Sequence, residues 1–302
     1  MSAHVTIRDV SLRDGLQIET PIPLSAKLGL LEAIAATGVR EVEATAFVSP
    51  SKVPSMADAA DVAAQLHRYR DRPPGIEFSA LVASPNGAGR AVTAGLRAIE
   101  YVVSPSDEFS RANVGRTSAE ATAQIADIVA IAHDSDVLVE VIVATAWDCP
   151  FQGPTAPQRV VDIACAAVEY GADRLSLADT IGTTTPGRVE SLIAALRPAI
   201  GTLPLGGHFH NTRGAGLASA YAAVQCGISR LDSSAGGLGG CPFAPGATGN
   251  IATEDLVYLL TDSGISVDVD LQAAIAAAKV AREAVGHDLP GALLRAGDRI
   301  RH

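Results

Sequence analysis

At 302 residues the chain is longer than a typical single domain, but it has the length that one α/β barrel commonly uses. Composition is 48% hydrophobic and 19% charged, rich enough in apolar side chains to bury a large core and too apolar for disorder. A net charge of -10 with scattered basic residues excludes the footprint of a nucleic-acid binder, and no apolar run approaches the ~18 residues that a membrane span requires.

Short β-rich apolar runs alternate with Ala/Leu-rich segments of helical period along the whole chain. In chain order the expected strands are Val5 to Ser11, Val39 to Thr45, Ile76 to Val82, Ala98 to Val103, Val137 to Ala144, Arg174 to Ala178, Leu205 to His210 and Arg230 to Ser233. The expected helices are Ser25 to Thr37, Ala57 to Tyr69, Gly87 to Ala94, Ser118 to His133, Pro157 to Tyr170, Pro186 to Ile200, Gly214 to Cys226 and Thr253 to Thr261. Eight βα units favour closure into a (β/α)8 TIM barrel, whereas an open doubly wound sheet would show fewer strands and a G-x-G-x-x-G turn after the first. Residues 1–302 are expected to form this one catalytic domain. A helical extension from about residue 265, comprising Asp268 to Val285 and Gly291 to Ile300, is expected to pack outside the barrel mouth.

Catalytic groups of such barrels stand at the C-terminal ends of the strands, which filters the candidates. The first strand runs into Leu12-Arg13-Asp14-Gly15-Leu16-Gln17, a cation and a carboxylate side by side. The seventh ends in His208-Phe209-His210, whose period of two sends both imidazoles to one face. With Asp14 from the neighbouring first strand they make a mixed oxygen and nitrogen set with open positions, suited to Mg²⁺, Mn²⁺ or another divalent cation. The eighth strand leads into Gly236-Gly237-Leu238-Gly239-Gly240-Cys241-Pro242, a flexible loop that could carry the Cys241 thiol into a closed site. Asn250 offers a neutral oxygen to cation or substrate. Glu43, on the same strand face as Glu41, could hold Arg13, and Asp179-Thr180 ends the sixth strand facing the site.

His4, His67, His133, His287 and His302 lack partners at ligand spacing and read as surface or helix-end residues. Cys149, Cys165, Cys226 and Cys241 lie far apart with no C-x-x-C pair, as free thiols in a reducing compartment do. The N-terminal residues lack a basic region followed by an apolar stretch. A cytoplasmic enzyme is expected, without nucleic-acid or membrane partners and assembled as a homo-oligomer, a dimer or tetramer.

These segments together resemble the 3-hydroxy-3-methylglutaryl-CoA (HMG-CoA) lyase family over nearly the whole chain. The resemblance is carried in order by Arg13-Asp14-Gly15-Leu16-Gln17, Glu43-Ala44-Thr45-Ala46-Phe47-Val48-Ser49-Pro50, Asp179-Thr180-Ile181-Gly182, His208-Phe209-His210, the Gly236 to Pro242 loop, Gly249-Asn250 and Ala252-Thr253-Glu254-Asp255-Leu256. It implies an acyl-CoA substrate, best guessed as HMG-CoA split into acetyl-CoA and acetoacetate in leucine degradation. Asp14, His208 and His210 would ligate the cation with Asn250 close by, and Cys241 would close over the site. The substrate's tertiary hydroxyl, acidified by chelation, would lose its proton to Cys241 or His208. Arg13 would neutralise the developing enolate, a contact typically worth about 3–4 kcal/mol. Gln17, Asp179 and Thr180 would contact substrate, and Asn113 in the segment Phe109 to Asn113 would line the CoA arm.

The chain departs from the family pattern at Trp147-Asp148, Ala178, Asn211 and Arg213, at strand ends where specificity is decided, so a related substrate such as citramalyl-CoA is an open alternative. Arg213 could bind or repel a carboxylate. A condensing transferase of the isopropylmalate or homocitrate synthase type shares the R-D-G and H-x-H elements, but it usually carries Glu at the position of Leu16 and further C-terminal sequence. A catalytically silent acyl-CoA-binding barrel has no need of Arg13, Asp14, His208, His210 and Cys241 together.

Overall fold

The structure, a computed structural model, describes residues 4–70, 75–240 and 248–299. Eight strands form its core: β1 (His4–Asp9), β2 (Glu41–Phe47), β3 (Glu77–Val82), β4 (Ala98–Val103), β5 (Leu138–Val143), β6 (Arg174–Asp179), β7 (Leu205–Phe209) and β8 (Arg230–Ser233). Each pairs in parallel with the next, and β8 returns to β1 from Thr6↔Arg230 to Asp9↔Ser233, closing the expected (β/α)8 barrel. Alternation along each strand explains the arrangement. On β5, Val139, Val141 and Val143 are fully buried in the layer shared with the helices, while Glu140 and Ile142 point inward.

The expected helices Ser118–His133 and Pro186–Ile200 form with those bounds, the first opened by a capping box in which Thr117 and Glu120 each accept the other's backbone N–H. The helix expected over Ala57 to Tyr69 is divided into Ala59–Ala63 and His67–Arg70, because the ladder tightens to three-residue bonds at Gln65 and Leu66. Two further elements lay outside the expectations. Helix Asp107–Val114 is capped by Ser106 and closed by Gly115 in the left-handed region at φ 74°, and a hairpin pairs Asp148–Cys149 with Gly153–Pro154.

The C-terminal extension corrects the expectation in part. Ser266–Val267 adds a short parallel strand beside the start of β1, and helix Leu271–Val285 packs on helix Leu24–Ala35 and on the Ala235–Gly237 turn after β8. It therefore covers the flank where the barrel closes, not the mouth alone. The final helix is shorter than expected, Ala292–Ala296, with the Asp255 carboxylate accepting the N–H groups of Ala292 and Leu293 at 2.8 Å each.

The lower interior of the barrel is charged. Arg8 donates through Nε and Nη2 to Asp232 at 2.9 and 2.8 Å, and through Nη1 to Glu100 and Glu140 at 2.7 Å each. Arg230 and Ser176 also donate to Glu140, and Ser79 to Glu100. Arg174 pairs with Glu77 at 2.5 Å and approaches the network through Glu41, whose Oε2 lies 3.8 Å from Arg174 and 3.7 Å from Arg230.

Glu254, from the segment that follows β8, is fully buried and accepts the Gly236 N–H at 3.0 Å. Burial outweighs that bond and pushes its carboxyl up to about 7. The folded state thus holds the proton more tightly than the unfolded chain, where the ordinary value is 4.5. The associated stability is complete below pH 4.5 and is lost as pH rises through about 7, roughly 3 kcal/mol in all. Urea unfolding at pH 4.5 and pH 8 should show Glu254→Gln removing about that much of the wild-type decline; equal declines in the two proteins would refute the assignment.

Candidate active site

The chain leaves β1 through a single π-helical turn, Ser11–Gly15, held by Gly15 N–H to Val10 O at 3.0 Å and Leu16 N–H to Ser11 O at 2.9 Å. This turn shortens the expected strand and presents Arg13 and Asp14 together at the mouth. Arg13 Nη1 donates to Asp14 Oδ1 at 2.6 Å and to Gln17 Oε1 at 3.2 Å, while its Nε lies 2.6 Å from Glu43 Oε2. The guanidinium is held on both sides and stays charged. Burial alone would raise the Asp14 carboxyl, but Arg13 and the two imidazoles outweigh it and hold the group well below the usual carboxylate range. Glu43, wholly enclosed, is pushed up by burial and by neighbouring Glu100 against the pull of Arg13.

His208 and His210 stand on one face with ring centroids 5.0 Å apart. Their Nε2 atoms lie 3.9 and 3.7 Å from Asp14 Oδ2, and one ligand atom from each of the three residues falls within 4.8 Å of the others. Behind them, Asp232 Oδ2 accepts from His208 Nδ1 at 3.0 Å, which leaves Nε2 directed at Asp14. Burial would lower the His208 pKa, but Asp232 and Asp14 reverse this and raise it. The segment after the Cys241 loop completes the cluster. Asn211 N–H bonds Gly249 O at 2.8 Å and Ile251 N–H bonds Phe209 O at 3.2 Å, so Asn250 bridges to His210. Close passage of Gly249 against Gly239 allows this, since a β-carbon on Gly249 would collide with the Gly239 backbone. Asn250 Nδ2 donates to Asp14 Oδ2 at 2.8 Å, leaving its Oδ1 buried and without a partner, as are both nitrogens of His210. Buried polar atoms so orphaned call for a ligand, and the mixed nitrogen and oxygen set fits a divalent cation.

One cleft of about 1040 Å³ contains this cluster and is lined also by Arg13, Gln17, Asn113 and Thr180. Glu43 and Asn250 support it from behind, each buried. Gly240 lines the cleft, and Cys241, the next residue, lies outside the described residues. The structure gives three of the sequence candidates other contacts. Asp179 does not line the cleft, because its oxygens accept the N–H groups of Thr183 at 2.9 Å and Thr184 at 3.1 Å and so hold the loop after β6. Arg213, exposed at the rim, donates through Nη1 to the carbonyls of Ile181 at 2.6 Å and Gly182 at 3.3 Å. Trp147-Asp148 also turns away: the indole donates to Arg188 O at 3.2 Å and the carboxylate takes the Arg188 guanidinium at 2.7 Å. Sequence reasoning missed Asp232, Arg8 and Glu100, although charged residues recurring at period two inside apolar strands were the available signal.

Residues 4–281 match the HMGL-like family. The chain belongs to that family. It is 39% identical over 300 residues to the (R)-citramalyl-CoA lyase of Chloroflexus aurantiacus, covering 97% of this chain and 95% of the relative. It is equally 39% identical to the hydroxymethylglutaryl-CoA lyase of Pseudomonas mevalonii, covering 89% and 88%. A solved HMG-CoA lyase from Acinetobacter baumannii, in complex with coenzyme A and 3-methylmalate, superposes with a TM-score of 0.93 at 36% identity, covering 100% and 99%. The HMGL-like chain described here is thus a carbon–carbon lyase of the oxo-acid-lyase class acting on a CoA ester, from a metal-dependent family.

Loss of a partner that orients a metal-ligating imidazole typically costs 10–100-fold in metal affinity. Asp232→Asn should therefore weaken Mn²⁺ binding by about that factor while leaving the circular dichroism spectrum intact; unchanged calorimetric affinity would remove Asp232 from the metal site.

Proposed function

We propose that the protein cleaves HMG-CoA to acetyl-CoA and acetoacetate with Mg²⁺ or Mn²⁺ held by Asp14, His208, His210 and Asn250. The observation that carries this reading is the clamped Arg13 guanidinium beside an open cluster of metal-ligating atoms in one cleft. When bound, the cation supplies Lewis-acid polarisation that lowers the pKa of the substrate's tertiary hydroxyl. The hydroxyl proton passes to a base, the bond between C2 and C3 breaks, C3 becomes the ketone of acetoacetate, and the electron pair becomes the enolate of acetyl-CoA. Arg13 would meet the enolate oxygen as it develops charge, and its hydrogen bonds to Asp14 and Gln17 and its ion pair with Glu43 would hold it there without reorganisation. His208 has Nδ1 committed to Asp232 and Nε2 turned to the ligand cluster, which favours Cys241 over His208 as the base. Gln17 and Thr180 would contact the acyl part and Asn113 the CoA arm.

Citramalyl-CoA, cleaved to acetyl-CoA and pyruvate, is the second reading, favoured by the Chloroflexus aurantiacus relative. The acyl-CoA assignment draws also on the relative whose structure holds coenzyme A and 3-methylmalate. We read the protein as a cytoplasmic homo-oligomer serving leucine degradation.

A chelator should abolish HMG-CoA cleavage and added Mg²⁺ or Mn²⁺ should restore it; full turnover by metal-free protein would exclude the metal site from the reaction. Cys241→Ser should bind metal and fold as wild type yet lose about 10²–10⁴-fold in kcat. Wild-type kcat in that variant would remove the thiol from the chemistry.

A further inference from the structure

The inward-facing residues of β3, β4, β5 and β6 change character over one two-residue step. Ser79, Glu100, Glu140 and Ser176 belong to the charged lower interior. Two positions closer to the mouth stand Leu81, Val102, Ile142 and Ala178, and all four line the cleft together with Ala46 and Ala144. Leu81 and Val102 are only half-buried, so apolar surface faces the cleft. Ala178 pairs in register with His208, and this floor therefore begins beside the ligand cluster.

The floor holds no spare positive charge among the described residues. Arg13 is committed to Asp14, Glu43 and Gln17. The other cations lining the cleft, Lys52, Arg90 and Arg116, stand on segments beyond the strand ends; Arg90 lies over the Phe47 ring at 5.4 Å and Arg116 donates to Val114 O at 3.2 Å. An unpaired carboxylate set on this floor would lose several kcal/mol of solvation. An alkyl group set there gains from burial. Four adjacent strands at about 4.8 Å spacing make a floor far wider than a methyl group.

We propose that the cleft takes, besides methyl-bearing esters such as HMG-CoA, 3-hydroxyacyl-CoA substrates whose carbinol carbon carries a longer alkyl branch, seated on the Leu81, Val102, Ile142 and Ala178 floor, with any free carboxylate on the metal side of the cleft. This rests on the lyase reading above and deepens it from one ester to a class of branched 3-hydroxyacyl-CoA esters.

The test compares HMG-CoA with homologues whose 3-methyl group is lengthened to propyl and pentyl, measuring kcat/KM with Mn²⁺ and, separately, calorimetric binding of the matching 3-deoxy esters. Both affinity and kcat/KM should rise about fourfold per added methylene, the equivalent of ~0.8 kcal/mol. Val102→Thr and Leu81→Thr should each cut the preference for pentyl over methyl. Cleavage of HMG-CoA with affinity and turnover that fall as the branch grows would overturn the floor and leave the lyase intact. Affinity that rises with the branch while no ester is cleaved would support the floor and overturn the lyase reading instead.

Discussion

The guanidinium of Arg8 stands at the centre of the barrel interior. It carries carboxylates from three other strands, Asp232 on β8, Glu100 on β4 and Glu140 on β5, all nearly inaccessible to solvent. Burying an ion costs several kcal/mol unless its partners and geometry compensate, and removing one member of such a group typically costs 3–5 kcal/mol. Burial would lower the Arg8 pKa, but the three carboxylates raise it well above its ordinary range, so the charge persists. The active site depends on this arrangement along two arms. Asp232 continues to His208 and fixes which imidazole nitrogen faces Asp14. Glu100 adjoins Glu43, which clamps Arg13. Asp14 closes the ring between Arg13 and His208.

That charged layer also explains why the cleft has two faces. Polar groups that act on a substrate's oxygens need rigid partners, and the ends of β7, β8 and β1 sit next to the Arg8 network that supplies them. On the other side, β3 to β6 bring up apolar residues directly above Ser79, Glu100, Glu140 and Ser176, which belong to the charged layer. A metal-ligand cluster facing an apolar floor would sort a substrate by orientation, with oxygen-bearing atoms on one side and carbon chain on the other. The loop after β6 is held by Asp179 and the backbone bonds of Arg213, which stiffen the rim without entering the cleft.

The strands and most helices were legible in the amino-acid sequence, because strand and helix periods are local and the eight units repeat them; β4 and β8 have the bounds expected from the sequence. Departures lie where local signals meet a tertiary demand. Ser11 reads as strand yet enters the π-turn that delivers Arg13 and Asp14, and residues 107–114 form a helix whose Ser106 cap was present in the sequence but unused.

His208-Phe209-His210 and Arg13-Asp14-Gly15 announced a candidate metal-ligand set and a guanidinium at the barrel mouth, since a period of two and the strand-end rule need only neighbours in the chain. Only the tertiary structure decided what supports them. Asp232 lies 224 residues from Arg8 and Asn250 lies 236 from Asp14, so their pairing exists only once β8 returns to β1 and residues 249–251 pair with the end of β7. Asp179 accepts from Thr183 and Thr184 in its own loop, and Arg213 reaches that loop from the end of β7. Composition and period determine which residues can face inward, but hydrogen bonds and buried charges are settled by distances that only folding sets.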